Sequence, residues 1–158
     1  MKHRILRLLS VGALFVAGLL ICLPARAQTA GLSREIYTGI PGNDVVALTS
    51  APTFPDRPAS RDVLTDFFET GPNSGDDYGQ RIRGFLSAPQ TGEYVFWIAS
   101  DDQSVLYLST SEDPAHKREI ASVNGATGFR NWFREPSQQS GPVRLEAGRL
   151  YYVEALMK

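Results

Sequence analysis

Glu93-Tyr94-Val95-Phe96-Trp97-Ile98-Ala99-Ser100-Asp101-Asp102-Gln103-Ser104-Val105-Leu106-Tyr107-Leu108-Ser109 is the stretch on which the fold turns. From Tyr94 to Ala99 every position is apolar, a run that suits a central strand covered on both faces and places Trp97 in the core. The polar turn Ser100 to Gln103 leads into a second apolar strand, Val105 to Ser109. Upstream, Tyr78 to Leu86 has a period of two. Ile82, Gly84 and Leu86 share one face, and Arg81, Arg83 and Phe85 share the other. Gln90-Thr91-Gly92 is a hairpin turn between this strand and the apolar run. Three strands joined by tight polar turns predict an antiparallel meander.

Working outward, Glu35 to Ile40 and Val45 to Leu48 read as short strands flanking the turn signal Pro41-Gly42-Asn43-Asp44. Pro52, Pro55 and Pro58 rule out a helix interior or a central strand between Thr49 and Arg61, so this segment is expected as an ordered loop. Val63 to Glu69 fits a strand or a short helix, and its β-branched and aromatic content favours a strand. Arg118 to Val123 is a further strand. A polar loop, Asn124 to Gln139, then carries Phe129, Trp132 and Phe133. Val143 to Leu145 and Leu150 to Met157 read as a closing hairpin around Glu146-Ala147-Gly148. Short strands at this spacing, with no sustained helical period, give an all-β chain: an antiparallel β-sandwich or barrel.

The N-terminus reads differently. Lys2, Arg4 and Arg7 precede an apolar stretch from Leu8 to Leu23, and Ala25-Arg26-Ala27 supplies the small residues of a cleavage site. Residues 1–27 are therefore read as a signal peptide, and the apolar run is short for a membrane anchor. Cleavage leaves residues 28–158 as one domain with a single core. It also removes Cys22, the only cysteine, and four of the 16 basic residues but none of the 17 acidic ones, leaving a net charge of −5. An acidic exported domain without cysteine is a poor match for nucleic acid or for insertion into an anionic membrane, and its stability must rest on a core or a bound ion.

Few catalytic sets are available. His116 is the only histidine after residue 27, beside a proline turn, where a solvated surface role fits better than a triad or a zinc site. Asp76-Asp77 and Asp101-Asp102 are adjacent pairs. On an extended backbone adjacent side chains diverge, so neither pair can flank a glycosidic bond, and the chain is expected not to be an enzyme. Two readings of Asp101-Asp102 stand side by side: a solvated turn, or a cation site of the kind calcium takes, with about six to eight oxygens. Asp76-Asp77 fits a plain turn. Trp97 and Trp132 could each stack on a sugar; Trp97, in the most apolar strand, fits the core better, whereas Trp132 lies in a polar loop beside Asn131.

The order of motifs is specific. Tyr78-Gly79-Gln80-Arg81-Ile82-Arg83-Gly84-Phe85-Leu86, then Thr91 to Asp102, then Leu106-Tyr107-Leu108-Ser109-Thr110, then Leu145 to Ala155 resemble the PA fourteen module, named after the protective antigen of anthrax toxin. The likeness is to the variety found in exported bacterial proteins, and it covers about Gly31 to Lys158. The resemblance implies an antiparallel β-barrel or sandwich that recognises carbohydrate. It further implies a calcium ion held by Asp101 and Asp102, the peptide between them cis and both carboxylates turned the same way, with sugar hydroxyls on the ion. Gln103, Asn131 and Trp132 are the candidate ligand-binding residues. Family members continue beyond the equivalent of Lys158 into one more strand, so the resemblance also implies a shortened C-terminus and an open edge able to pair with another chain.

The expected function is an exported, non-catalytic carbohydrate-binding module using calcium, acting on a glycan or cell-surface polysaccharide in the periplasm, at the cell surface or outside the cell. The alternative is a structural or adhesive spacer of a cell-surface protein, making protein contacts without an ion.

Overall fold

The computed structural model describes residues 31–72 and 74–158, so the expected signal peptide lies outside the described residues. Among the described residues, eight strands and one short α-helix follow in order, besides two single 3-10 turns: β1 (Leu32–Thr38), α1 (Val45–Thr49), β2 (Ser60–Leu64), β3 (Tyr78–Ser87), β4 (Gly92–Tyr94), β5 (Ser104–Leu108), β6 (Arg118–Val123), β7 (Val143–Leu145) and β8 (Leu150–Met157). Six form one antiparallel sheet in the order β2-β1-β3-β8-β5-β6, and β4 pairs only with β7. The chain is all-β and antiparallel, as expected.

The connectivity departs from the expected meander. β3 pairs with β1 and β8, whereas β4 leaves the large sheet altogether. The closing hairpin is likewise absent: β7 goes to β4, and β8 lies in the middle of the large sheet with β3 on one side and β5 on the other. The C-terminal strand therefore has no free edge of its own. The outer strands of the large sheet are β2 and β6.

Each face of the large sheet has its own cover. On one, Leu106, Leu108, Val153 and Tyr151 pack with Leu145, Ile98 and Ala88 from the β4–β7 layer. This cover sits on the β8-β5-β6 half. On the other face Tyr37, Val105 and Leu156 pack with Ile40 and Leu48. Leu48 is fully buried and comes from α1, where a strand was expected. Two valines favour a strand locally, but tertiary contacts decide otherwise. The Gln103 side-chain carbonyl accepts from the Val45 N–H at 2.7 Å, and Leu48 is seated against Gly79.

This second face also holds two buried acids. Glu35, 1% exposed, accepts from Arg81 at 2.5 Å, Arg83 at 3.0 Å and Arg61 at 3.2 Å. Glu154 accepts from the Tyr152 hydroxyl at 2.6 Å and pairs with Lys117. Burial, then the neighbouring Glu154, pushes the Tyr152 hydroxyl up to about 12. The proline-rich loop closes over Glu35: the Pro55 carbonyl accepts from Tyr37 and Arg81, and the Phe54 ring lies under the Arg81 guanidinium.

Candidate functional site

The site grows from the segment Glu93 to Ser104. Only Gly92–Tyr94 is regular strand, and Phe96 to Ile98 then runs extended beside residues 138–140. Ile98 N–H donates to the Gln138 carbonyl at 3.0 Å, and Ser140 N–H to the Phe96 carbonyl at 2.9 Å. Alternation along this backbone buries Ile98 and turns Trp97 outward, 41% exposed. Trp97 is therefore not a core residue. The covered central strand predicted here would need partners on both edges, and this short run has a partner on one.

The next residues form a turn fixed on three sides. Thr127 N–H donates to the Ser100 carbonyl at 2.7 Å and the Ser100 N–H donates to Thr127 Oγ1 at 3.0 Å. The Asp102 N–H donates to the Lys158 carbonyl at 2.9 Å, and Lys158 N–H returns a bond to the Gln103 carbonyl. Gln103 N–H reaches the Asn43 carbonyl at 3.3 Å, and Ser100 Oγ lies 2.6 Å from the Asp102 carbonyl oxygen. The Asp101–Asp102 peptide is cis, as the resemblance implied.

These bonds leave the two carboxylates facing outward and close to each other. Asp101 is exposed and Asp102 half-buried. Partial burial, and then the neighbouring Asp101 charge, raise the Asp102 carboxyl above its ordinary value, against a smaller opposing pull from Lys158. Among the described residues neither carboxylate sits in an ion pair, and no group of three or more His, Cys, Asp and Glu side chains converges on a point that could hold a metal. Two adjacent, unneutralised carboxylates fit a hard cation in donor chemistry. Further ligands would have to be carbonyls, amides, water or a ligand's hydroxyls.

The pair lines a cleft of about 1060 Å³. Its floor is the uncovered part of the large sheet's inner face, with Leu32, Ile82 and Ala155. Trp97, Phe129 and Trp132 line one wall, and residues 68–72 and 74–78 line the other. Arg130, at φ 55°, joins the walls through a bidentate pair with Glu69 at 2.7 and 2.9 Å. Gln138, fully buried, braces the aromatic wall by donating to the carbonyls of Ile98 and Asn131.

Of the predicted residues, Asp101, Asp102 and Trp132 come together on this cleft. Gln103 uses its side-chain carbonyl on α1. Asn131 is exposed beside the cleft, and its side-chain oxygen lies 3.5 Å from the Phe133 N–H. Sequence reasoning weighed Trp97 for stacking but favoured the core, and it missed Phe129 and the Arg130–Glu69 clasp. The alternation that puts Trp97, Ala99 and Asp101 on one side was visible; the single-edged pairing that exposes that side was not.

Residues 31–157 match the family model of the PA14 domain. This chain belongs to the PA14 domain family. The PA14 chain is 30% identical over 137 residues to fibrocystin of the dog, Canis lupus familiaris, covering 82% of this chain and 3% of that protein. It is 41% identical over 87 residues to the N-acetyl-beta-glucosaminyl-glycoprotein 4-beta-N-acetylgalactosaminyltransferase 1 of Mus musculus, covering 52% of this chain and 8% of the enzyme. The PA14 chain thus spans a small fraction of these mammalian relatives. In fold it is similar to the beta-glucosidase of Kluyveromyces marxianus solved in complex with glucose, with a TM-score of 0.50, 13% identity, and coverage of 85% of this chain and 15% of that one. No helix among the described residues is long and apolar enough to cross a membrane.

Proposed function

We propose that this PA14 domain is an exported, non-catalytic carbohydrate-binding module whose cation site is Asp101 and Asp102, with calcium the ion. It acts on a glycan or surface polysaccharide in the periplasm, at the cell surface or outside the cell. The observation that carries this reading is the pair of adjacent, unneutralised carboxylates lining the same cleft as the rings of Trp97, Phe129 and Trp132. Calcium, when bound, supplies open coordination positions for vicinal hydroxyl oxygens. The chain's own residues do the remaining work. Asp101 and Asp102 offer the charge, the Lys158, Ser100 and Thr127 bonds hold the turn still, and Trp132 gives an apolar face to a sugar ring.

Calorimetry with calcium tests the first half. Wild type binds, and Asp101→Ala does not; silence at millimolar calcium, or equal binding by the variant, overturns it. At a hundredfold excess over Kd the ion adds about 2.7 kcal/mol, a rise in Tm of roughly 5–10 °C for a domain of this size. A glycan array read with and without chelator tests the second half, the expected result being signal only with calcium.

A further inference from the structure

We infer that the cleft takes a neutral glycan chain along its length, several sugar units at once, with Trp97 as the stacking platform that reads the chain away from the Asp101–Asp102 pair. This rests on the carbohydrate reading above and deepens it.

Three observations carry it. The first is size: about 1060 Å³ is at the top of the range that encloses an entire drug-sized ligand, more than a single sugar ring fills. The second is spacing. Phe96 to Ser100 is extended, held by residues 138–140 and by Thr127, and Trp97 and Asp101 fall on the same side of it by alternation. Four residues at the rise of a strand separate them by about 13 Å. A ring stacked on Trp97 is therefore not the ring whose hydroxyls meet the carboxylates, and one ligand contacting both must be a chain. Trp97 is also 41% exposed although it is a large apolar ring, and it lines the cleft without serving either core cluster.

The third is charge. Glu69, Asp76, Asp77, Asp101 and Asp102 line the cleft, against Arg130 and Lys158. Arg130 is engaged by both oxygens of Glu69, and Lys158 is a buried residue whose charge acts on Asp102. Among the described lining residues only Lys158 is a cation outside an ion pair, against four carboxylates that have none, so one divalent ion still leaves the cleft acidic. Polyanionic glycans are repelled and neutral ones are not.

The probes are cello-, manno- and xylo-oligosaccharide series from one to six units, with polygalacturonate as the acidic chain, titrated against the domain with calcium present. Calorimetry reads each titration on the wild-type domain and on Trp97→Ala, so both tryptophans stay in place in the reference protein. For a series that binds, affinity is expected to rise at least tenfold between one and four units. Trp97→Ala returns the tetramer to the monomer's affinity, leaving monomer affinity, calcium binding and Tm unchanged, and polygalacturonate does not compete. Equal affinity for one and four units, or a chain-length gain that survives Trp97→Ala, overturns the inference while the carbohydrate reading stands. Tight polygalacturonate binding overturns the neutral-chain assignment. No binding at any length, with the array also silent, removes both.

Discussion

Glu35 and Asp102 are both acids beside other charges, and the fold moves them in opposite directions. Burial alone would raise Glu35, but the bonds and charge of Arg81, then Arg83, outweigh it and hold its carboxyl below the ordinary 4.5. Its ionised form is the stabilising one. That contribution is complete above about 4.5 and is lost as pH falls through the lower folded value. Glu35→Gln leaves Arg81 buried against no anion, a loss of about 3–5 kcal/mol that urea titration at neutral pH measures. The variant's acid transition is correspondingly shallower than that of the wild type. Asp102 behaves in reverse. Its folded value is raised above 3.8, so without a cation it lowers stability as pH climbs through that window. Asp102→Asn is therefore expected to leave the calcium-free Tm unchanged or higher while abolishing any rise with calcium. A lower calcium-free Tm would show that the carboxylate is structural.

At the scale of elements, α1 is a five-residue helix that could not stand alone. It exists because Gln103 accepts its first N–H and because Leu48 fits where Gly79 has no side chain. A Cβ on Gly79 would lie 2.9 Å from Leu48 Cδ1, too close without displacement. Gly79→Val should cost about 1–3 kcal/mol by overpacking, and Leu48→Ala about 2–5 kcal/mol by leaving a cavity. Since the added methyls fill part of the space that Leu48 vacates, the double variant should lose less than the sum of the two in denaturant titrations. Additive losses would mean the two positions are not in contact. The β4–β7 layer follows the same logic. Three paired residues make no independent sheet, and this one persists on the apolar face supplied by β5, β6 and β8.

Across the whole molecule, a six-stranded sheet opposed by a two-stranded one leaves half of an inner face uncovered, and the cleft is that uncovered half. Its far wall, residues 68–72 and 74–78, is tied to the aromatic wall by Glu69 and Arg130. Both are solvated, so Arg130→Ala should leave Tm nearly unchanged. If the clasp sets the width of the cleft, the same variant weakens oligosaccharide binding, and high salt weakens the wild type in the same way. Unaltered binding by Arg130→Ala would show that the walls hold their spacing without it. The PA14 family and the all-β class were legible in sequence, because period-two alternation and the motif around Asp101-Asp102 are local signals. The placement of Asp101 and Asp102 in a turn was legible too, but what fixes that turn, the bonds to Thr127, Lys158 and Asn43, was not. Trp97 was not legible as a cleft residue. An apolar run reads as buried on both faces, whereas burial depends on how many neighbours the sheet order supplies. Val45 to Leu48 failed for a related reason: two valines favour a strand until a distant glutamine and a glycine make a helix the better-packed choice. What the sequence determined was therefore whatever depends on near neighbours along the chain: strand alternation, the double aspartate and the motif order. Tertiary structure alone decided which strands pair, which aromatics face solvent and where the cleft opens, because these depend on contacts between residues tens of positions apart.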